Sequence, residues 1–275
     1  MEIINAIWVL AAIGAVAAVL LVLAAKFMAV PVDEKFPKIR ECLPGANCGA
    51  CGYAGCDGYA AALASGEETV TNKCVPGADK VARQLAELTG GEFADVVEQV
   101  AVVRCSGSCD ACKAKMSYEG ITSCAAAKLY YGGASSCTFG CIGLGDCERA
   151  CPEKAIGVIN GLATVNPAMC IGCGICVRTC PNGVITLMAD VDRALVACSN
   201  HEMGAVVRKE CSKGCIGCKK CERECPVGAI KVTDNLAAID YSICTSCGHC
   251  AEICTTGCIT YMDRSGAHRA ESKSA

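Results

Sequence analysis

Cysteines spaced three residues apart constrain this chain more than any other feature. Cys170-x2-Cys173-x2-Cys176-x3-Cys180-Pro181 and Cys215-x2-Cys218-x2-Cys221-x3-Cys225-Pro226 are two complete runs. A short loop of this spacing wraps a cubane corner by corner, and soft thiolates suit iron–sulfur centres. In the bacterial pattern the fourth cysteine of a run ligates the neighbouring [4Fe–4S] cluster. Such runs imply electron transfer.

Cysteine content as high as 28 in 275 residues also occurs in disulfide scaffolds of short secreted chains. These spacings are metal-type, whereas bridged loops scatter their cysteines. Zinc ribbons use separated pairs, which fits three consecutive cysteines at x2 spacing poorly. Aromatics make up only 4% of the chain, so conventional cores must be small. Clusters replace the missing core, because metal binding in such domains is coupled to folding. A net charge of −3 leaves no nucleic-acid footprint.

A repeat of 74 residues organises the C-terminal half. It carries Cys137, Cys141, Cys147, Cys151, Cys170, Cys173, Cys176 and Cys180 onto Cys211, Cys215, Cys221, Cys225, Cys244, Cys247, Cys250 and Cys254 without a gap. Apolar hairpins are expected at 156–165 and 230–239, between the two runs of each copy. Cross-ligation then assigns Cys170, Cys173, Cys176 and Cys151 to one cluster, and Cys141, Cys147 and Cys180 to another. In the second copy Cys215, Cys218, Cys221 and Cys254 form one set, and Cys244, Cys247, Cys250 and Cys225 the other.

Leu144 breaks the repeat, because its counterpart is Cys218. Cys137, four residues before Cys141, is the expected substitute, which leaves Cys211 spare; a three-iron cluster is the alternative. Cys258 maps to Val184 and reads as a core residue. Cys198 maps to Cys124, which suggests a shared structural position, and Cys42 lies outside every spacing. Five clusters are expected; Cys105, Cys109, Cys112 and Cys124 form an irregular group that matches no recognised ligand spacing and are the candidate ligands of a possible sixth. His249 sits between ligands, but a Rieske centre needs two histidines, and neither His201 nor His268 has matching spacing.

Nearer the N-terminus, Cys48-x2-Cys51-x4-Cys56-x17-Cys74 is a fifth ligand set, with glycines that permit tight turns beside it. Short helices are expected at 57–64 and 78–88, with Asp79 opening the second. Ahead of this, Ala6 to Ala25 is free of polar side chains and long enough to span about 30 Å of hydrocarbon. Glu2 stands in place of the basic n-region of a signal peptide, so a retained transmembrane helix is expected. Lys26, Lys35, Lys38 and Arg40 put the N-terminus outside and the cysteines in the cytoplasm.

The fold class is therefore α+β. The expected order is an anchor at 1–29, a small α-helical four-cysteine domain at 30–90, and a connecting segment at 91–132. Ferredoxin-like modules follow at 133–190 and 191–265, with a tail at 266–275. No G-x-G-x-x-G turn between strand and helix, P-loop or catalytic dyad is present, so the chain has no NAD or flavin site and no catalytic residue of its own.

Leu43-Pro44-Gly45-Ala46-Asn47-Cys48-Gly49-Ala50-Cys51-Gly52-Tyr53-Ala54-Gly55-Cys56, with Cys74-Val75-Pro76-Gly77, lies between an apolar anchor and ferredoxin modules. This arrangement resembles the RnfB family, the B-type component of the Rnf complex, which is the ion-translocating ferredoxin:NAD oxidoreductase of bacterial membranes. The resemblance covers residues 1–262 and implies a membrane-bound electron relay. Its donor would be soluble reduced ferredoxin, and its partners the flavin-bearing and NAD-binding subunits. It also implies that Cys48, Cys51, Cys56 and Cys74 ligate one cluster. The second module goes beyond the short form of the family. Two other readings stay open: a polyferredoxin subunit of a membrane-bound hydrogenase or formate dehydrogenase, and a structural zinc protein. Lys213, Lys219 and Lys220 beside the second module's first loop are candidates for docking an acidic ferredoxin, although Glu222 and Glu224 interleave with them.

Overall fold

A computed structural model describes residues 2–27, 35–189 and 193–262. Residues 28–34, the 266–275 tail and His268 lie outside the described residues. Helix α1 covers Glu2–Phe27, as its run of Ala and Leu favours, and is about 39 Å long. Its described side chains, Trp8 and those of 11–24, are all exposed. Among the described residues no helix is long and apolar enough to cross a membrane.

Three helices build the four-cysteine domain: α2 (Lys35–Cys42), α3 (Cys56–Ser65) and α4 (Ala78–Thr89). Their apolar faces meet around Ile39, Leu43, Tyr59, Leu63, Val81 and Leu85. Gly66 and Gly90 end α3 and α4 in the left-handed conformation, which glycine adopts without Cβ strain. Sequence reasoning anticipated the last two helices but not α2. Asp79 does not cap α4. Its Oδ1 accepts from the Val96 N–H at 2.8 Å and ties down the following loop.

Beyond this domain the chain forms small two-stranded antiparallel sheets. In chain order come β1 (Val100–Val103), α5 (Cys124–Lys128), α6 (Asp146–Ala150), β2 (Ile156–Ile159) and β3 (Leu162–Val165). Next are α7 (Ile175–Thr179), β4 (Ile185–Met188), β5 (Arg193–Val196), α8 (Gly204–Glu210) and α9 (Lys220–Arg223). The chain continues with β6 (Ile230–Thr233), β7 (Leu236–Ile239), α10 (His249–Glu252) and β8 (Ile259–Met262). The expected hairpins are β2–β3 and β6–β7. Asn160-Gly161 and Asp234-Asn235 turn them with positive φ at both positions, as a type I′ turn requires.

Each module has a second sheet that the repeat did not disclose. Strand β4 pairs with β1, and β8 with β5. The first module thus draws a strand from the segment read as connecting. A run such as Val100-Ala101-Val102-Val103 has strand propensity, but its partner lies more than 80 residues away and leaves no local signal. Val102 of β1 packs with Leu195 and Met262 of the second module. The two modules therefore share an apolar seam.

Candidate iron–sulfur sites

Cys48, Cys51, Cys56 and Cys74 line one cavity, closed by Leu43, Pro44, Tyr59 and Pro76. The loop that carries them is shaped by its own polar and glycine residues. Asn47 Oδ1 accepts from the Cys56 N–H at 2.9 Å. A Cβ on Gly55 would stand 3.0 Å from that same oxygen. Tyr59, fully buried, donates its hydroxyl to the Val70 carbonyl at 2.8 Å and braces the loop that leads to Cys74. Burial, with the neighbouring thiols, pushes the Cys74 thiol up to about 11.

Cys176 lies in the electrostatic reach of Cys170, Cys173 and Cys151. Two of these sulfurs accept backbone N–H groups: Cys170 from Ala101 at 3.4 Å and Cys151 from Ala155 at 3.3 Å. Such bonds stabilise a thiolate and tune a cluster. This group abuts the four-cysteine domain. Arg178 donates to the Cys48 carbonyl, and Cys173 feels Cys48.

Cys141, Cys147 and Cys180 share a cavity, and its fourth cysteine is Cys124. The expected substitute, Cys137, faces elsewhere. Asp146 explains how Cys124 arrives there. Its Oδ2 accepts from the Ala125 N–H at 3.0 Å and from Ser123 Oγ at 2.9 Å, which fixes the start of α5. Arg149 pairs with Asp146, and donates to the carbonyls of Leu144 at 3.0 Å and Thr122 at 2.9 Å. Burial pushes the Asp146 carboxyl up, but the Ala125 N–H and the Ser123 hydroxyl outweigh it and hold it below its usual range.

In the second module Cys221 sits near Cys215, Cys218 and Cys254. Cys250 sits near Cys244 and Cys247, while Cys225 packs on the same core and accepts from the Ala229 N–H at 3.3 Å. Cys258, 2% exposed, is 3.6 Å from Cys254 Sγ. It touches a proposed ligand, and its place is otherwise that of Val184.

Two of the four cysteines in the irregular group lie away from the other two. Cys124 is in the cavity above. Cys109 is exposed; its N–H bonds the Asn160 carbonyl at 2.9 Å, and its sulfur covers Gly161, where a Cβ would lie 2.5 Å away. Cys105 and Cys112 line a separate cavity with Cys137, Cys198 and Cys211. Nor do Cys198 and Cys124 share a position. Cys198 follows β5 as Cys105 follows β1.

His249 pairs with Glu252 across one helical turn at 3.7 Å, and His201 meets the Phe139 ring edge-on. Lys213 and Lys219 are exposed and Lys220 half-buried. Among the described residues no three or more His, Cys, Asp or Glu side chains are grouped to hold a metal ion. Around one zinc, Zn–S bonds of about 2.3 Å draw four sulfurs to within roughly 4 Å of each other. A cubane carries its irons at separate corners and accepts wider-set thiolates, so cysteine-lined cavities with sulfur-directed N–H groups fit [4Fe–4S] clusters.

Comparison with known proteins agrees with this chemistry. Residues 133–194, 169–229 and 214–258 match 4Fe-4S dicluster domain families, and residues 43–76 match an Fe-S cluster family. The chain is 42% identical over 254 residues to the B component of the proton-translocating ferredoxin:NAD(+) oxidoreductase complex of Clostridium ljungdahlii, covering 91% of this chain and 89% of that one. It is 36% identical over 253 residues to the B component of the Na(+)-translocating ferredoxin:NAD(+) oxidoreductase complex of Acetobacterium woodii, covering 92% and 76%. It is 42% identical over 252 residues to the B component of the ion-translocating oxidoreductase complex of Methanosarcina acetivorans, covering 91% and 95%.

Proposed function

The chain belongs to the RnfB family, the B-type components of ion-translocating ferredoxin:NAD(+) oxidoreductase (Rnf) complexes, and is an electron-transfer subunit of such an assembly; from this premise we propose that it takes electrons from reduced ferredoxin and relays them along a row of five [4Fe–4S] sites. The ligand sets are Cys48/Cys51/Cys56/Cys74, Cys151/Cys170/Cys173/Cys176, Cys124/Cys141/Cys147/Cys180, Cys215/Cys218/Cys221/Cys254 and Cys225/Cys244/Cys247/Cys250. When bound, such clusters take up and release single electrons.

One observation carries this reading: the cysteine groups adjoin one another. Arg178 of the first module grips the Cys48 carbonyl, and Cys147 and Cys176 lie in one apolar core with Ile156 and Ile185 between them. Cys221 and Cys250 share a core in the same way in the second module. The protein's part is to hold each group, to direct N–H groups at its sulfurs, and to exclude water with Val, Ile and Ala side chains. Partner subunits supply the NAD and flavin chemistry and move the ion.

Helix α1 is proposed as a single-pass anchor in the cytoplasmic membrane, with its N-terminus outside. Its described side chains are almost wholly apolar yet exposed, Leu21 by 71%, which favours lipid over water. The double substitution Val16→Arg and Leu20→Arg is expected to release the full chain from membranes on alkaline extraction; release of the wild type under the same wash would refute the anchor.

Ferredoxin docking at Lys213 and Lys219 is tested by stopped flow. Lys219→Glu is expected to slow reduction by ferredoxin severalfold at low salt and to flatten its salt dependence. An unchanged salt profile would sink this surface. For the relay as a whole, anaerobic full-length protein reduced by ferredoxin should bleach at visible wavelengths, and failure to accept electrons from ferredoxin while accepting them from dithionite would overturn the donor.

A further inference from the structure

Between the two modules lies a cavity whose walls carry Cys105, Cys112, Cys137, Cys198 and Cys211, together with Cys141 of a neighbouring group. We propose that Cys105, Cys137, Cys198 and Cys211, two from each module, hold a further [4Fe–4S] cluster that joins the modules into one relay. The proposal rests on the preceding reading only in leaving Cys124 to the neighbouring site.

These four cysteines are two pairs of structural equivalents. Cys137 and Cys211 are partners under the 74-residue repeat. Cys105 and Cys198 are partners by strand register. The Arg104 N–H bonds the Val184 carbonyl, and the Ala197 N–H bonds the Cys258 carbonyl, both at 2.7 Å. Val184 and Cys258 are themselves repeat partners. The modules then reach across to each other. Ser199 Oγ donates to the Arg104 carbonyl at 3.0 Å, and Asn200 Nδ2 donates to Cys137 Sγ at 3.5 Å. A Cβ on Gly107, the counterpart of Asn200, would lie 3.6 Å from Cys211 Sγ. The cavity therefore lies on an approximate two-fold relation between the modules, with matching thiols on both sides.

Two of the four sulfurs carry ligand-like hydrogen bonds. Cys105 Sγ accepts the N–H groups of Gly107 at 3.3 Å and Cys141 at 3.4 Å. Cys198 Sγ accepts the N–H of Cys215 at 3.3 Å. Cys170 and Cys225, from the two complete runs, and Cys151 accept backbone N–H groups at the same distances. Cys112 is also hydrogen-bonded in this cavity, to Cys211 and to the backbone of Cys137 and Ser136, and its thiol reaches the Lys113 carbonyl at 3.8 Å, but it lacks a matching thiol across the seam. Its register counterpart in the second module is Ala205.

The location matters for electron flow. Cys141 and Cys215, whose N–H groups bond Cys105 and Cys198, belong to the groups on either side. One N–H···S step therefore connects the central cavity to each flanking site. Electrons cross the seam singly, one side oxidised as the other is reduced, with no bond or proton exchanged.

The test is iron and acid-labile sulfide on the anaerobically purified full chain, with EPR of the dithionite-reduced state. The wild type is expected to bind about 24 irons, six cubanes of four. Cys198→Ala and Cys211→Ala should each lower this by about four and remove one reduced-state signal. Cys112→Ala should leave both unchanged. A wild type with about 20 irons, or iron lost with Cys112→Ala but kept with Cys198→Ala, would overturn the proposal. Should the cysteine variants fail to fold, Asn200→Leu keeps every thiol while removing the bond to Cys137, together with those to the Glu202 N–H and the Glu210 carboxylate, and is expected to shift the potential of one cluster; no shift in any cluster would also count against it. Cys124→Ala separates the two readings. If it keeps all iron while Cys211→Ala loses four, the assignment of Cys124 fails and the central site stands.

Discussion

The two ferredoxin-like modules share a backbone plan yet complete one of their cysteine groups differently. In the second, Cys218 comes from the same loop as Cys215 and Cys221 and is exposed. In the first, Leu144 occupies that position and the buried Cys124 enters from α5. The difference traces to an insertion. Cys198 and Cys211 are 13 residues apart, whereas Cys105 and Cys137 are 32 apart. The extra residues carry α5. A thiol supplied within its own loop needs only local spacing, while one brought in from an insertion needs a tertiary clamp, here Asp146 with Arg149.

The strongest way to break this comparison is Cys124→Ala, which is expected to remove about four irons from the full chain, or leave a three-iron EPR signature in their place. Adding Leu144→Cys to that variant converts the first module to the second module's scheme and should restore the iron. If iron content is indifferent to both changes, Cys124 is no ligand.

Next in size is Gly143→Ala against its repeat partner Gly217→Ala. Both glycines have positive φ, but a Cβ would meet the hairpin turn at 2.3 Å from the Gly161 oxygen in the first module and 3.0 Å from the Asn235 oxygen in the second. Each change carries about 1–2 kcal/mol of left-handed strain, and the first adds a backbone clash. Anaerobic thermal melts should show the larger fall in Tm for Gly143→Ala; equal falls would mean the turns are equally close.

Asp146→Ala removes the clamp while leaving every sulfur in place. Loss of its bonds to α5 should cost about 1–3 kcal/mol and lower occupancy of the Cys124 site, with second-module signals unchanged in EPR. The smallest effect is expected for Cys258→Val, which gives the second module the residue its partner already has. A stability change under about 1.5 kcal/mol and unaltered iron content would fit a packing role; loss of iron would make Cys258 a ligand.

Much of the site was legible because ferredoxin-type runs fold around short-range geometry. The hairpins at 156–165 and 230–239 were readable for the same reason, with turn residues and apolar alternation inside ten residues. The errors lie where distance along the chain intervenes. A gapless offset of 74 made Cys124 the partner of Cys198, because nothing local marks an insertion. Only the pairing of β1 with β4 and of β5 with β8 shows that Cys105 is the true counterpart. One signal for Cys124 was present in Ser123, whose Oγ accepts from the Ala126 N–H at 3.5 Å as the N-cap of α5. A capped helix beginning with cysteine beside a module short of one ligand was a usable hint.

The sequence by itself determined the chemistry of this protein. Thiolates at fixed short intervals select iron–sulfur clusters, and their number and order behind an apolar helix select a relay. Tertiary structure alone decided which thiols share a cavity outside the regular runs. A ligand group is closed by proximity in space, and for Cys124, Cys137, Cys198 and Cys211 that proximity is created by strand pairing, a carboxylate clamp and the seam between two modules.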